Sequence, residues 1–156
     1  MIKKIFLTSL FILLISCGFK PMLKGFDSSK ITIKNVNYIG KNELTYLLNT
    51  SLGLTEQKNS NGLIIKLTIS EDLISLSKNT SGVTTEEDLV ITVNLDIKNS
   101  ELTNLSSDTI IEKKRLVVTN NLGTDDTTKN IERNKLIQNI SQKIKFKLLI
   151  LSDISK

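Results

Sequence analysis

The chain holds 156 residues, enough for one domain and short of two, and its 39% hydrophobic and 24% charged content is that of a packed domain. It has no histidine, no tryptophan and one cysteine, which removes imidazole acid–base catalysis, Cys/His zinc sites and internal disulfides. The net charge of +5 comes from 21 Lys+Arg against 16 Asp+Glu, but with Arg115 and Arg133 as the only arginines and 4% aromatics, the groups that read grooves or stack on bases are scarce, and nucleic acid is not an expected partner.

The N-terminus has the layout of an export signal: Lys3 and Lys4, then an apolar run from Ile5 to Ile15, then Ser16 before Cys17. As a helix the run would reach about 16 Å, roughly half of a hydrocarbon core about 30 Å thick, so it is expected to be cleaved rather than to span. Leu14-Ile15-Ser16-Cys17 resembles the bacterial lipobox. That resemblance implies alkylation of the Cys17 thiol by diacylglycerol, cleavage before Cys17, and acylation of the new amino group. At about 0.8 kcal/mol per buried methylene, three chains hold such a protein in the membrane. Gly18 rather than Asp after the cysteine implies, by resemblance to Gram-negative lipoproteins, the outer membrane. The expected organisation is a cleaved signal peptide over 1–16, a lipidated extended lead over 17–29 holding the only proline, and a single domain over 30–156. Without Lys3 and Lys4 the balance is 19 basic against 16 acidic residues, net +3.

In the domain, Lys30 to Ile39 is rich in β-branched residues, with Ile31 and Ile33 in one phase and Val36 and Tyr38 in the other, which predicts a strand with a bulge near Asn35. Gly40 is placed to cap a helix over 41–52, with Glu43 in its first turn, Leu44, Leu47, Leu48 and Leu52 at helical spacing, and Gly53 as its stop. Leu63, Ile65, Leu67 and Ile69 alternate with their neighbours and predict a second strand; Lys78 to Gly82 is a turn. Leu89, Ile91, Val93, Leu95 and Ile97 give a third strand with one dry and one largely wet face, and Ile110 to Thr119 gives a fourth after a turn-rich 99–108. After a polar connector over 120–128, whose last residues from Asp125 can cap, Ile137, Ile140, Ile144, Leu148 and Leu151 recur at helical spacing. The order β-α-β-β-β-α with one-sided strands predicts an α+β two-layer sandwich: two helices on one face of a four-stranded, mostly antiparallel sheet.

Chemical signals are few. Ser75 and Lys78 satisfy S-x-x-K, a spacing of acyl-transferring serine enzymes when it opens a helix, but here it ends a strand and its companion motifs are missing. Glu86-Glu87-Asp88 and Asp125-Asp126 are expected in solvated turns and at a helix start, because adjacent residues diverge on a strand. No enzymatic activity and no metal or other cofactor is expected. Lys113, Lys114 and Arg115 put two cations on one strand face and one on the other; Lys143, Lys145 and Lys147 are expected in the last turns of the final helix, where the dipole favours cations. Such cations are a soluble surface or a contact for a phosphorylated, acylated ligand, with Arg115 the best single candidate because guanidinium grips phosphate bidentately.

Cys17-Gly18-Phe19-Lys20-Pro21-Met22-Leu23 resembles the C-G-F-x-P-L-Y opening of LPS-assembly lipoproteins of the LptE family, departing from it at Met22-Leu23. The segment from Ile31 to Leu54 is similar to that family's first strand and helix, and the element order agrees. The resemblance implies a non-enzymatic outer-membrane lipoprotein that sits in the LptD β-barrel, assists its assembly and helps deliver lipopolysaccharide (LPS) to the surface. An accessory lipoprotein of another ABC-type lipid-transport system shares the size and the lipidation.

Overall fold

The computed structural model describes residues 31–57 and 61–154; the expected signal peptide over 1–16, Cys17, the expected lead over 17–29 and the C-G-F-x-P opening lie outside the described residues. The elements are β1 (Ile33–Ile39), α1 (Asn42–Leu52), β2 (Leu63–Lys78), β3 (Thr84–Lys98), β4 (Asn104–Val117) and α2 (Leu122–Ile154). They build the expected α+β arrangement, a four-stranded mixed sheet in the order β1-β2-β3-β4. β1 and β2 are parallel, joined by the α1 crossover that parallel pairing requires, and the other two pairings are antiparallel hairpins.

One side of the sheet is dry. Ile65, Leu67 and Ile69 of β2 pair in register with Ile97, Leu95 and Val93 of β3, and all are buried beneath Leu44, Leu48 and Leu52 of α1 and Leu136, Ile137, Ile140, Ile144 and Leu148 of α2. Each large aliphatic side chain buried this way contributes about 1.5–3 kcal/mol. The register of β1 against β2 shifts between Ile33 and Asn35, as the change of phase required. The shift keeps both phases on the core: Ile31 and Ile33 are buried, and Val36 and Tyr38 pack against the same cluster.

Several boundaries differ from expectation, each for a local reason. The residue preceding α1 is Lys41, with extended backbone and no side-chain cap, not Gly40. Gly40 is instead required by contact: its φ is +148°, and a Cβ there would sit 2.5 Å from the Ile69 carbonyl oxygen. Gly53 does end α1, at φ +56°, donating its N–H to the Asn49 carbonyl. α2 begins at Leu122, ahead of the predicted caps, because Asn121 Oδ1 accepts the Thr124 N–H at 3.3 Å. Asp125, inside the first turn, accepts from the Thr119 N–H and hydroxyl at 3.0 and 2.7 Å and so closes the loop. These bonds from Thr119 hold the Asp125 carboxyl below its ordinary range.

The strands run further than their apolar alternation. β2 continues through polar Ser70, Glu71 and Asp72 to Lys78; β3 starts at Thr84, so Glu86, Glu87 and Asp88 are strand residues rather than a turn; β4 starts at Asn104. Both hairpins use the same device: Asn79 Oδ1 accepts the Ser81 and Val83 N–H groups, and Asn99 Oδ1 those of Glu101 and Thr103. The left-handed position is Gly82 in the first loop and Leu102, at φ +64°, in the second. Among the described residues no helix is long and apolar enough to cross a membrane.

α2 spans about 50 Å and crosses the sheet obliquely. Arg133 meets Glu71 of β2, whereas Lys143 meets Glu112 of β4, and Glu71 and Glu112 lie on one row through Ile91. The β2–β3 end is left partly uncovered, and Leu73, Leu76 and Val83 there are exposed.

Candidate functional site

β4 alternates sides residue by residue. Ile110 and Leu116 point into the core, which puts Lys114 on the helix side, opposite Leu89, and turns Ile111, Lys113, Arg115 and Val117 to the other face. Lys113 and Arg115 therefore sit together, as expected, and Lys114 is separated from them by the sheet. Asp88, opposite Arg115 on β3, is their common anion: its Oδ1 lies 3.5 Å from Arg115 Nε and its Oδ2 3.8 Å from Lys113 Nζ. The carboxylate is nearly enclosed, at 11% side-chain exposure, whereas the two cations are 70% and 63% exposed. The three groups carry one net positive charge, presented outward.

Apolar groups surround this cluster on the same open face. Ile74 of β2 lies in the row that carries Asp88 and Arg115 and is half exposed. Ile111 and Val117, one same-face position to either side of the cations, are 58% and 68% exposed. Cations interleaved with uncovered aliphatic side chains can meet an anionic headgroup and its acyl chains together. Lys113 and Arg115 are visible in the sequence as residue types, whereas Asp88 resembles a turn residue there and Ile74 lies beyond the clear alternation of β2. The odd-numbered positions of β4 were the available signal for Ile111 and Val117.

The other predicted cations are engaged inside the fold. Lys143 and Lys147 pair with Glu112 and Asp108 of β4, and Lys145 Nζ donates to the Ser51 carbonyl at 2.9 Å. α2 extends to Ile154, so none of the three is in its last turn; they bind the helix to β4 and α1 rather than complement its dipole. The Lys147 contact, reinforced by the Ser106 hydroxyl, holds the Asp108 carboxyl below its ordinary range. Ser75 and Lys78 both lie in β2, and the Ser75 hydroxyl is 3.0 Å from that of Thr84.

No protein-family model matches the chain, and no curated protein matches it in sequence. Its fold is similar to that of several solved bacterial lipoproteins. Rare lipoprotein B from Shewanella oneidensis superposes with a TM-score of 0.57 at 11% identity, over 78% of this chain and 97% of that one. A lipoprotein from Caulobacter crescentus gives 0.57 at 15% identity, over 85% and 98%. A minor lipoprotein from Acinetobacter baumannii gives 0.53 at 14% identity, over 78% and 94%. At these identities the likeness is one of fold: the chain shares an architecture used by lipoproteins of Gram-negative bacteria.

Proposed function

We propose that the chain is a lipid-anchored lipoprotein of the Gram-negative outer membrane that serves the LPS translocon, seated against the LptD β-barrel and contacting lipopolysaccharide through the open face of β4. The observation that carries this reading is the cluster of Lys113 and Arg115 beside exposed Ile74, Ile111 and Val117, because an amphiphile with phosphates and acyl chains needs both kinds of group at once. The lipobox at Cys17, the C-G-F-x-P opening and the fold shared with solved lipoproteins support the envelope location. An anchor confines the domain to one membrane, so modest contacts with a barrel in that membrane suffice. β1 starts beside Leu63, at the opposite end of β2 from the Asn79–Gly82 turn, so the cationic cluster lies roughly 35–40 Å from where the tethered chain enters the sheet.

Native extraction of the tagged chain should recover a large β-barrel together with lipopolysaccharide. Arg115→Glu, which reverses the charge facing Asp88, should lower the retained lipopolysaccharide severalfold with barrel recovery unchanged. Recovery of a helical transmembrane transporter instead of a barrel overturns the assignment to the LPS translocon; undiminished lipopolysaccharide with Arg115→Glu returns Arg115 to the solvated surface.

A further inference from the structure

The two edges of the sheet are finished differently. Along β1, Glu56 Oε1 accepts the Val36 N–H at 2.8 Å and the Gln57 N–H donates to the Ile33 carbonyl at 2.7 Å, so the segment after α1 covers that edge. Along β4, the only strand neighbour among the described residues is β3, which leaves a long open ladder from Asn104 to Val117. We infer that β4 pairs antiparallel with β4 of a second copy of the chain about a two-fold axis through Ile111, joining two sheets into one.

A two-fold axis perpendicular to the sheet keeps each face on its own side, so it must pass through a residue rather than between two. With the axis at Ile111, the exposed Ile111 side chains meet each other, and Asp108 falls opposite Lys114 of the second copy on the helix side. On the open face Thr109 meets Lys113 and Ser107 meets Arg115, and at the ends exposed Val117 meets exposed Leu105. Neighbouring registers fail on charge: an axis at Ile110 sets Asp108 against Glu112, and one at Glu112 sets that carboxylate against itself. Lys114, whose place outside the cationic cluster is otherwise without a role, becomes the partner of the Asp108–Lys147 pair. The register also places an apolar groove at the axis. On the helix side a cavity of about 460 Å³ between α2 and β4, lined by Ile110, Glu112, Lys143, Phe146 and Lys147, lies along the β4 backbone on either side of position 111, and Phe146 in it is 41% exposed. Two such grooves face each other across the axis, so one contact covers the open ladder and the apolar groove together. This pairing is a property of the chain free of a larger partner and does not rest on the lipopolysaccharide reading.

Disulfide trapping of the full chain in detergent tests the register. Directly opposed residues of antiparallel strands have Cα atoms about 4.5–5.5 Å apart, within reach of a disulfide. Ile111→Cys should give a covalent dimer on mild oxidation, well above the background set by the parent chain with its single Cys17. Thr109→Cys alone should not, because its own copy lies about 13 Å away, whereas a mixture of Thr109→Cys and Lys113→Cys chains should link. Ile111→Lys, at a solvent-facing position, should raise the dimer dissociation constant at least tenfold with an unchanged circular dichroism spectrum. A monomeric mass for the parent chain at micromolar concentration, equal trapping at positions 109 and 111, or a dimer indifferent to Ile111→Lys overturns the inference. Occupation of the edge by residues 1–30 or by a strand of another protein would appear as the first of these results.

Discussion

Arg133 is where the two helices and the sheet are tied together, and its removal has a calculable cost. Its guanidinium, 9% exposed, grips the Glu71 carboxylate of β2 through Nε and Nη2, while Nη1 donates to Glu43 of α1 at 2.9 Å and to Asn130 at 2.8 Å. The Glu71 hydrogen bonds raise the Arg133 pKa above its ordinary value, against the opposing effect of burial, so the guanidinium is charged at any physiological pH. Arg133→Met leaves Glu71, 12% exposed, without its counter-charge, and breaking a buried pair from one side costs about 3–5 kcal/mol. Some solvent still reaches Glu71, so the lower end applies: about 3 kcal/mol, or about 12 °C in midpoint for a domain of this size. The Glu43 arm is 68% exposed, and Glu43→Gln should cost under about 1 kcal/mol. Replacing both partners, Arg133→Met with Glu71→Leu, should recover most of the loss, because two apolar groups need no counter-charge. Urea unfolding followed by far-ultraviolet circular dichroism reads all four chains. A loss below about 1 kcal/mol for Arg133→Met, or a double variant no better than the single, refutes the clamp.

Leu102 holds the left-handed position that Gly82 fills in the companion hairpin, and Leu102→Gly should stabilise the domain by about 1 kcal/mol in the same unfolding measurement, since the side chain is exposed and the strain is that of a Cβ at positive φ. Burial pushes the Tyr38 phenol up to about 12, with the Glu56 carboxylate acting in the same direction. A raised folded-state value means stability that is complete below the unfolded value of about 10 and is lost as pH rises from there towards 12. A pH series should show this alkaline loss, and Tyr38→Phe should abolish it.

Legibility followed periodicity. β1, α1, the core half of β3 and the apolar stripe of α2 were plain in the sequence because each buries one side, and even the bulge in β1 was visible as a change of phase between Ile33 and Val36. What failed were segments whose pattern answers to a distant partner. Glu71 interrupts the alternation of β2 because it is the counter-ion of Arg133, and Glu86 to Asp88 resemble a turn but form strand because Val117, Leu116 and Arg115 of β4 pair with them and Arg115 meets the Asp88 carboxylate. Asn104 to Asp108 resemble a loop, yet an edge strand accepts such residues because one side of its ladder needs no second strand. At the site, the cations were legible as residue types, but Ile74, their apolar neighbour on the adjacent hairpin, needed the register.

α2, which follows all four strands, supplies Leu136, Ile137, Ile140, Ile144 and Leu148, which close over β3 and β4 from the core side. A polypeptide emerging N-terminus first can complete β1 to β4 and still carry a bare aliphatic slab along Ile91, Val93 and Leu95 until α2 arrives. Premature stops anywhere before Leu136 should therefore produce adhesive, protease-sensitive fragments rather than a smaller working domain, and whatever escorts the unfinished chain must shield that slab until α2 has been made.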